Sequence, residues 1–337
     1  MRLLTRPWQE LLPERLHDAV QGAITATYGR SKVQCLGIVM GGVSAVALPI
    51  QAGLHTHLLR VETQRHARNP HQYACMAIAA DAGIAPALHF ADETARIAIM
   101  DYVDSVPLHQ FPGGGIALAR ALGAMAARLQ ATPAFPVHDD YRANVRKMLA
   151  YMETCFEPGL LDRHKEGFDQ LGLLMPWDSG GHVSSHNDLQ PGNLLFDGER
   201  LWLVDWETAC RNDPLVDVAV LADNLAATPD LAEALMQSWL GRPATVDDIR
   251  RLAQMTVLTR LHHAGSMILS AGAPAERMSS LEAPTQADFE TMVARRALDP
   301  AGPEARLVRG RMYLAGFVAG LDDVVRESKA RGLQRRP

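Results

Sequence analysis

The sequence has few cysteines, no long apolar run and no excess of basic charge, and each absence excludes a class of protein. Its four cysteines lie far apart and form no Cys-x-x-Cys pair, which argues against a zinc site built by such pairs and predicts free thiols in a reducing compartment. No stretch of about 18 apolar residues is present, so no segment is predicted to span a membrane. A net charge of −5 offers no basic face to a nucleic acid, so no such partner is predicted.

The amino terminus also lacks the pattern of a secretion signal. Its first residues, MRLLTRPWQELLPERL, place charged side chains throughout and contain no apolar core. We therefore expect a cytoplasmic protein with no membrane partner. A chain of 337 residues, 47% of them hydrophobic, is long enough to bury a large core without metal or disulfide crosslinks.

The patterns that are present change in character along the chain. Strand-like patterns dominate the first third, together with helical patterns over 8–29 and 70–83. A loop containing Phe-Pro-Gly-Gly-Gly follows, and after it the patterns are helical apart from one β-hairpin. This layout predicts an α+β fold of two lobes. We expect a β-rich lobe over 1–102, a linker over 103–115 and a mostly helical lobe over 116–337.

The segment HNDLQPGN, residues 186–193, contains the polar residues with the most informative spacing. Asp188 and Asn193 stand five residues apart in a loop that leads into a strand, and Asp205 closes the strand that pairs with it. Because paired strands lie about 4.8 Å apart, an antiparallel hairpin brings Asn193, at the start of one strand, close to Asp205, at the end of the other. Three oxygen-bearing side chains are therefore predicted to meet at one point.

This set of side chains is suited to phosphoryl transfer. Mg²⁺ prefers hard oxygen ligands and takes one or two of them from the protein, a need that Asn193 and Asp205 meet. Asp188 is then a separate carboxylate that can orient and deprotonate an attacking hydroxyl. Each of these residues alone would be interpreted as a turn or cap residue, so the prediction depends on the set.

The same residues resemble the catalytic segment of the choline kinase and aminoglycoside phosphotransferase superfamily. His186, Asp188 and Asn193 match the protein-kinase pattern H-x-D-x-x-x-x-N, and Asp205-Trp206-Glu207 matches the metal-binding D-[FW]-E segment of the family. The resemblance implies a protein-kinase-like fold, ATP and Mg²⁺ as cofactors, Asp188 as the base, and Asn193 and Asp205 as metal ligands. It also implies structural roles for His186, which holds the loop backbone, and for Asp217, which braces the catalytic loop.

The resemblance further implies that the β-rich lobe binds the nucleotide. Gly41, Gly42 and Ser44 are expected in a loop over the ATP phosphates, since glycine lets the backbone approach an anion. A plain β-turn is the other interpretation of two adjacent glycines. Met100 and Tyr102 fall in the segment that meets the adenine in the family.

Arg60, in the strand HLLRVE, stands where the family has a basic residue that grips the α- and β-phosphates. The family pairs that residue with a glutamate on the following helix, but Gln72 stands in that place here. The ion pair is therefore predicted to be missing, with a neutral hydrogen bond from Gln72 to Arg60 as its substitute. This departure leaves open a non-catalytic, kinase-like nucleotide-binding module, although the complete set of Asp188, Asn193 and Asp205 favours an enzyme.

The predicted phosphate acceptor is a small-molecule alcohol, first of all an amino alcohol such as choline, ethanolamine or thiamine. Choline-type enzymes hold a quaternary ammonium by cation–π attraction and carboxylates, and Trp206 and Glu207 are the candidates nearest to the motif. A tryptophan in such a place is more often a core residue. Aromatic residues make up only 6% of the chain, and Thr208 stands where many choline-type relatives have an aromatic. An aminoglycoside or another hydroxylated metabolite is therefore the alternative acceptor.

Overall fold

A computed structural model describes residues 7–39, 45–63, 69–175, 181–226 and 228–334 of the chain. The chain forms two compact units, of which the first comprises Met1–His138 and Val183–Arg211 and the second Asp139–His182 and Asn212–Pro337. The first unit contains a five-stranded sheet and the second is built mainly of helices, as the sequence predicts for an α+β fold. Residues 103–115 lie inside the first unit, and their role as a linker stays a prediction.

The sheet of the first unit is antiparallel, with strand order β1-β2-β3-β5-β4. On β3, Leu59 and Val61 are fully buried on one face, while Arg60 and Glu62 share the other, because successive side chains alternate along a strand. A bulge on β4 leaves His89 as an extra residue between two register pairs. The strands are β1 (Val33–Cys35), β2 (Ala45–Ala52), β3 (His55–Glu62), β4 (Leu88–Asp92) and β5 (Ile97–Asp101).

Helix α1 (His17–Tyr28) covers one face of this sheet and buries Val20, Ala23 and Ile24 in a core with Leu59 and other apolar strand residues. The predicted helix over 8–29 is shorter than expected, and two 3₁₀ turns precede it. Each turn follows a proline, and proline disfavours helical backbone at the residue before it. Pro13 therefore interrupts the first part of the helical pattern, and Pro7 lies just before it.

Other elements of the first unit surround the predicted catalytic segment. The predicted hairpin is present, with Leu194 opposite Leu203, and backbone hydrogen bonds attach it to the rest of the unit from Leu203 N to Ile84 O (2.9 Å) and from Val106 N to Phe196 O (2.7 Å). These elements are α2 (Gln72–Asp81), α3 (Gly114–Gln130), β6 (Val183–Ser185), β7 (Leu194–Phe196), β8 (Leu201–Leu203) and β9 (Cys210–Asn212), of which Asn212 is assigned to the second unit.

In the second unit the longest helices pack along each other at close range. A Cβ atom at Gly310 would lie 2.6 Å from Ile268 Cγ1, so only glycine permits this approach between the last helix and the helix that carries Ile268. Among the described residues, no helix combines the length and apolar character needed to cross a membrane. The helices are α4 (Tyr141–Cys155), α5 (Asp162–Leu174), α6 (Leu215–Leu225), α7 (Pro229–Leu240), α8 (Val246–Ala271), α9 (Gln286–Ala294) and α10 (Pro303–Gln334).

Candidate active site

Arg60 lies at the centre of a charged cluster in the first unit. Its guanidinium group donates from Nη1 to Glu62 Oε1 (3.0 Å) and from Nη2 to Asp205 Oδ1 (3.2 Å). Glu207 Oε2 is 3.9 Å from Nη2. Burial works to lower the pKa of Arg60, but nearby negative groups, Asp205 foremost, outweigh it and the net shift is upward. The strand residue thus remains a cation held against the segment that follows the hairpin.

Glu62 is 4% exposed, and three side chains besides Arg60 contact its carboxylate group. Its Oε1 atom accepts hydrogen bonds from Gln72 Nε2 and from the Tyr73 hydroxyl (3.3 Å), both at the start of α2. Its Oε2 atom lies 3.7 Å from Arg96 Nη1. Burial, reinforced by the charge of Glu62, raises the pKa of Tyr73, so the phenol stays protonated and able to donate. A buried carboxylate needs such donors and cations to offset its desolvation.

This network corrects the predicted environment of Arg60. The ion pair is present, because Glu62 supplies the carboxylate from the same strand, and Gln72 donates to Glu62 rather than to Arg60. Residues two apart on a strand share a face, so the spacing of Arg60 and Glu62 is the signal that would have identified the pair.

The loop before β7 is fixed by hydrogen bonds around Asp188. Asp188 Oδ2 accepts from Gln190 Nε2 and from Asn193 Nδ2, both at 2.9 Å, and Asn193 Nδ2 also reaches the backbone oxygen of Asp188 at 2.9 Å. The amide nitrogen of Asn193 is thereby turned toward Asp188. The remaining amide atom of Asn193 is its carbonyl oxygen, which has the chemistry of a ligand for a hard cation.

His186 and Asn187 join this loop to the residues after β8. His186 Nε2 is 3.0 Å from the backbone oxygen of Val204, the Thr208 hydroxyl donates to the backbone oxygen of His186 (2.8 Å), and Asn187 Nδ2 donates to the backbone oxygen of Thr208 (2.9 Å). His186 is fully buried. These bonds place the backbone of the two segments side by side.

Asp205 and Asn187 both have positive φ angles, of 67° and 65°. Such backbone is costly for residues other than glycine and tends to persist at functional sites, where the surrounding structure enforces it. Val204 N, just before Asp205, donates to the backbone oxygen of Asn193 (3.1 Å). The structure therefore brings Asn193 and the Asp205 segment together at the open end of the hairpin, as the sequence predicts.

The charge balance at this point suits a divalent cation. Three carboxylates, those of Glu62, Asp205 and Glu207, lie within 4.0 Å of the guanidinium group of Arg60, and Arg96 adds a second cation beside Glu62. Asp205 and Glu207 are only partly buried, so ligands from solution can reach them. The carboxylates outnumber the cations here, and the backbone hydrogen bond from Val204 to Asn193 brings the amide side chain of Asn193 into the same region. Carboxylate and amide oxygens are the ligands that Mg²⁺ prefers.

Other predicted site residues have different surroundings. Trp206 is 2% exposed and packs edge-on against Phe135, with ring centroids 6.1 Å apart, and against the His186 ring at 4.8 Å. This burial favours its interpretation as a core residue over a substrate contact. Met100 is the residue before the last in β5 and is buried, whereas Tyr102 lies just beyond the strand and is exposed.

Two further predictions fall elsewhere in the chain. Gly41, Gly42 and Ser44 lie outside the described residues. Asp217 is fully buried in α6 of the second unit. Their proposed roles therefore stay predictions.

The comparisons with known proteins agree with this geometry. Residues 53–254, more than half of the chain, match the model of the phosphotransferase enzyme family. Over 54 residues the chain is 37% identical to Protein LicA of Haemophilus influenzae, an alignment that covers 16% of this chain and 20% of that protein. The chain therefore matches only about a fifth of the length of this relative.

Solved structures with similar folds cover most of the chain. A choline/ethanolamine kinase family protein from Mesorhizobium loti has a TM-score of 0.60 and 18% identity, over 91% of this chain and 99% of that chain. A spectinomycin phosphotransferase, solved in complex with ADP and spectinomycin, has a TM-score of 0.54 and 14% identity, over 87% of this chain and 98% of that chain. These likenesses show a protein-kinase-like α+β fold with a β-rich amino-terminal part and a mostly helical carboxy-terminal part.

Proposed function

Since the chain belongs to the phosphotransferase enzyme family, we propose that it transfers the γ-phosphoryl group of ATP to the hydroxyl group of a small amino alcohol. The proposal depends on the hydrogen bond between Arg60 and Asp205. Asp205 follows the hairpin, and at the open end of that hairpin Asn193 donates a hydrogen bond to Asp188. This arrangement joins a cation suited to phosphate to a carboxylate and an amide suited to a metal, beside a second carboxylate suited to a hydroxyl.

We assign Asp188 as the general base that acts on the hydroxyl group of the acceptor. Gln190 and Asn193 fix the orientation of its carboxylate by donating to the same oxygen, Oδ2. In the reaction, Asp188 orients the hydroxyl group and accepts its proton while the oxygen forms a bond to the γ-phosphorus. The bond from that phosphorus to the β,γ-bridging oxygen breaks, and ADP leaves with its electron pair.

Asn193 and Asp205 are the residues that would hold Mg²⁺. When bound, the ion neutralises charge on the β- and γ-phosphate oxygens. Arg60 binds the α- and β-phosphates, and Glu62 accepts a hydrogen bond from its guanidinium group. Gly41, Gly42 and Ser44 would cover the phosphates, and Met100 and Tyr102 would border the adenine. Use of ATP is supported by the ADP in the similar spectinomycin phosphotransferase structure.

An amino alcohol is the acceptor that the similarities favour. The local sequence match is to Protein LicA, and a choline/ethanolamine kinase family protein shares the fold over nearly its whole length. Glu207 offers a partly buried carboxylate two residues after Asp205, where it would attract the ammonium group of such a substrate. The antibiotic spectinomycin represents the alternative acceptor class.

A screen of acceptors tests this function. We expect ADP release from ATP and Mg²⁺ to depend on choline, ethanolamine or thiamine, with spectinomycin and an aminoglycoside as the competing candidates and a reaction without acceptor as the control. Mass spectrometry of the product identifies the phosphorylated alcohol. ATP binding without release of ADP with any acceptor would favour the non-catalytic module, and release of pyrophosphate would indicate transfer of AMP.

The strand carboxylate can be tested by moving it to the helix. Glu62→Gln removes the most buried of the charge partners of Arg60, and we expect the KM for ATP to rise about tenfold, equivalent to roughly 1.4 kcal/mol, with a smaller change in kcat. The double variant Glu62→Gln/Gln72→Glu places the carboxylate on α2 and is expected to recover most of that loss. Steady-state kinetics with ATP as the varied substrate provide the measurement.

Two further variants make this experiment selective. Gln72→Glu alone would put two buried carboxylates in contact, and we expect it to unfold at a lower temperature than the double variant. Glu93→Gln changes an exposed carboxylate of the same unit and serves as the matched control. An unchanged KM for ATP in Glu62→Gln would contradict the role given to Glu62.

A further inference from the structure

A second cluster of ligand-type side chains lies in the first unit, apart from Arg60 and Asp205. It comprises His57, His89 and Asp101, whose ligand atoms all lie within 4.8 Å of one another. His57 and Arg60 are three residues apart on β3, so they face opposite sides of the sheet. The cluster is therefore separate from the residues proposed to bind phosphate.

The backbone of three adjacent strands builds this cluster. His57 and Asp101 stand directly opposite each other in the register of β3 and β5, and His89 is the extra residue of the β4 bulge. Bulges redirect side chains and are frequent beside functional sites. Here His89 Nε2 lies 2.6 Å and His57 Nε2 lies 3.9 Å from the same atom, Asp101 Oδ1. The two imidazole rings meet edge to face at a centroid distance of 4.6 Å.

These separations fit a four-coordinate metal ion after small movements. A tetrahedral zinc ion, bound at about 2.0–2.2 Å by each nitrogen or oxygen, keeps its ligand atoms about 3.4 Å apart. The two distances to Asp101 lie on either side of that value and the third pair is within 4.8 Å, so shifts on the order of 1 Å bring the three ligand atoms to it. The side chains of His89 and Asp101 are 36% and 50% exposed and can make these shifts, whereas His57 is a buried anchor.

The surroundings of the cluster point to a cation as the ligand. His57 is only 9% exposed, so its imidazole is held in a fixed place at the base of the cluster. A cavity of about 490 Å³ also borders His57 and Asp101, and its lining adds the carboxylates of Asp104, Asp197 and Glu199 but no lysine or arginine. The negative potential of such a cavity attracts cations and gives them a route to the cluster.

We propose that His57, His89 and Asp101 bind a divalent transition-metal ion of the zinc class. Two imidazoles and one carboxylate suit Zn²⁺ better than Mg²⁺, which prefers oxygen ligands alone. Water from the adjoining cavity supplies the fourth ligand. The site joins β3, β4 and β5 on the face of the sheet that faces away from Arg60, and the cavity beside it is also lined by Tyr102, which is proposed to border the adenine.

Direct titration of the full-length protein tests this site. After treatment with a chelator, the protein is titrated with Zn²⁺ by calorimetry and with Co²⁺ by visible absorption. We expect one ion per chain, bound with a micromolar or lower Kd and not displaced by millimolar Mg²⁺, and the absorption bands of tetrahedral Co²⁺. His89→Ala should weaken binding at least tenfold, whereas His109→Ala, which changes an exposed histidine elsewhere in the unit, should leave it unchanged.

A second measurement guards against loss of folding in the variants. Zn²⁺ should raise the midpoint of thermal unfolding of the parent protein by a few degrees and leave that of His89→Ala in place, because the ion stabilises only the state that binds it. Absence of stoichiometric binding by the parent would overturn the proposal. Binding of equal affinity in His89→Ala and Asp101→Asn would also overturn it and would indicate adventitious binding by surface histidines.

Discussion

Replacement of Asp188 by asparagine is expected to lower kcat by about 10²- to 10⁴-fold, the usual contribution of a general base. Asparagine has nearly the same shape, and its carbonyl oxygen can accept the hydrogen bonds that Gln190 and Asn193 donate to Asp188 Oδ2. Its amide group would then occupy the place of the other carboxylate oxygen. That group cannot accept a proton from the alcohol, so the rate of phosphoryl transfer falls while the loop keeps its conformation.

Kinetics and folding of this variant are measured together. The KM for ATP and the midpoint of thermal unfolding should stay close to those of the parent, because Asp188 is assigned to the acceptor and not to the nucleotide. Asp81→Asn, an exposed aspartate at the end of α2, provides the matched control and should keep parental turnover. Parental kcat in Asp188→Asn would show that the base lies elsewhere.

Replacement of Asp205 by asparagine is expected to have an effect of similar size through a different route. The change removes the charged member of the proposed Mg²⁺ ligands and weakens the hydrogen bond that Arg60 donates to Asp205 Oδ1. We expect kcat/KM to fall by at least about 10²-fold at fixed Mg²⁺, since a neutral amide is a poorer ligand for a hard cation than a carboxylate. Arg60 keeps its ion pair with Glu62, so the variant should still fold.

The dependence of rate on Mg²⁺ concentration separates this effect from that of Asp188. Half-maximal activity in Asp205→Asn should require several times more Mg²⁺ than in the parent, whereas Asp188→Asn should keep the parental requirement. The same Asp81→Asn control applies. An unchanged Mg²⁺ requirement in Asp205→Asn would remove this residue from the metal site.

Patterns along single elements of the fold could be predicted well from the sequence. The hairpin followed from two short apolar stretches around Asp197-Gly198-Glu199, because turn residues and strand pairing are local properties. Its register brings Asn193 close to the segment of Asp205. The helices after residue 116 followed from apolar spacing in the same way.

Properties that depend on packing between distant segments could not be predicted. The contact between Arg60 and Asp205 joins residues 145 positions apart, and no pattern within either segment indicates it. The burial of Trp206 against Phe135 and His186 depends on contacts among three separate segments. The bulge at His89 is likewise invisible in the sequence, since no glycine or proline marks it.

The first unit is built from two separate segments of the chain, so its charged residues are synthesised at different times. Arg60 and Asp205 are 145 residues apart, with residues 139–182 of the second unit between them in the chain. Domains tend to begin folding from the amino terminus while the ribosome is still translating. The guanidinium group of Arg60 already has Glu62 as a counterion at that stage, so the nascent sheet can bury it long before the ribosome reaches Asp205.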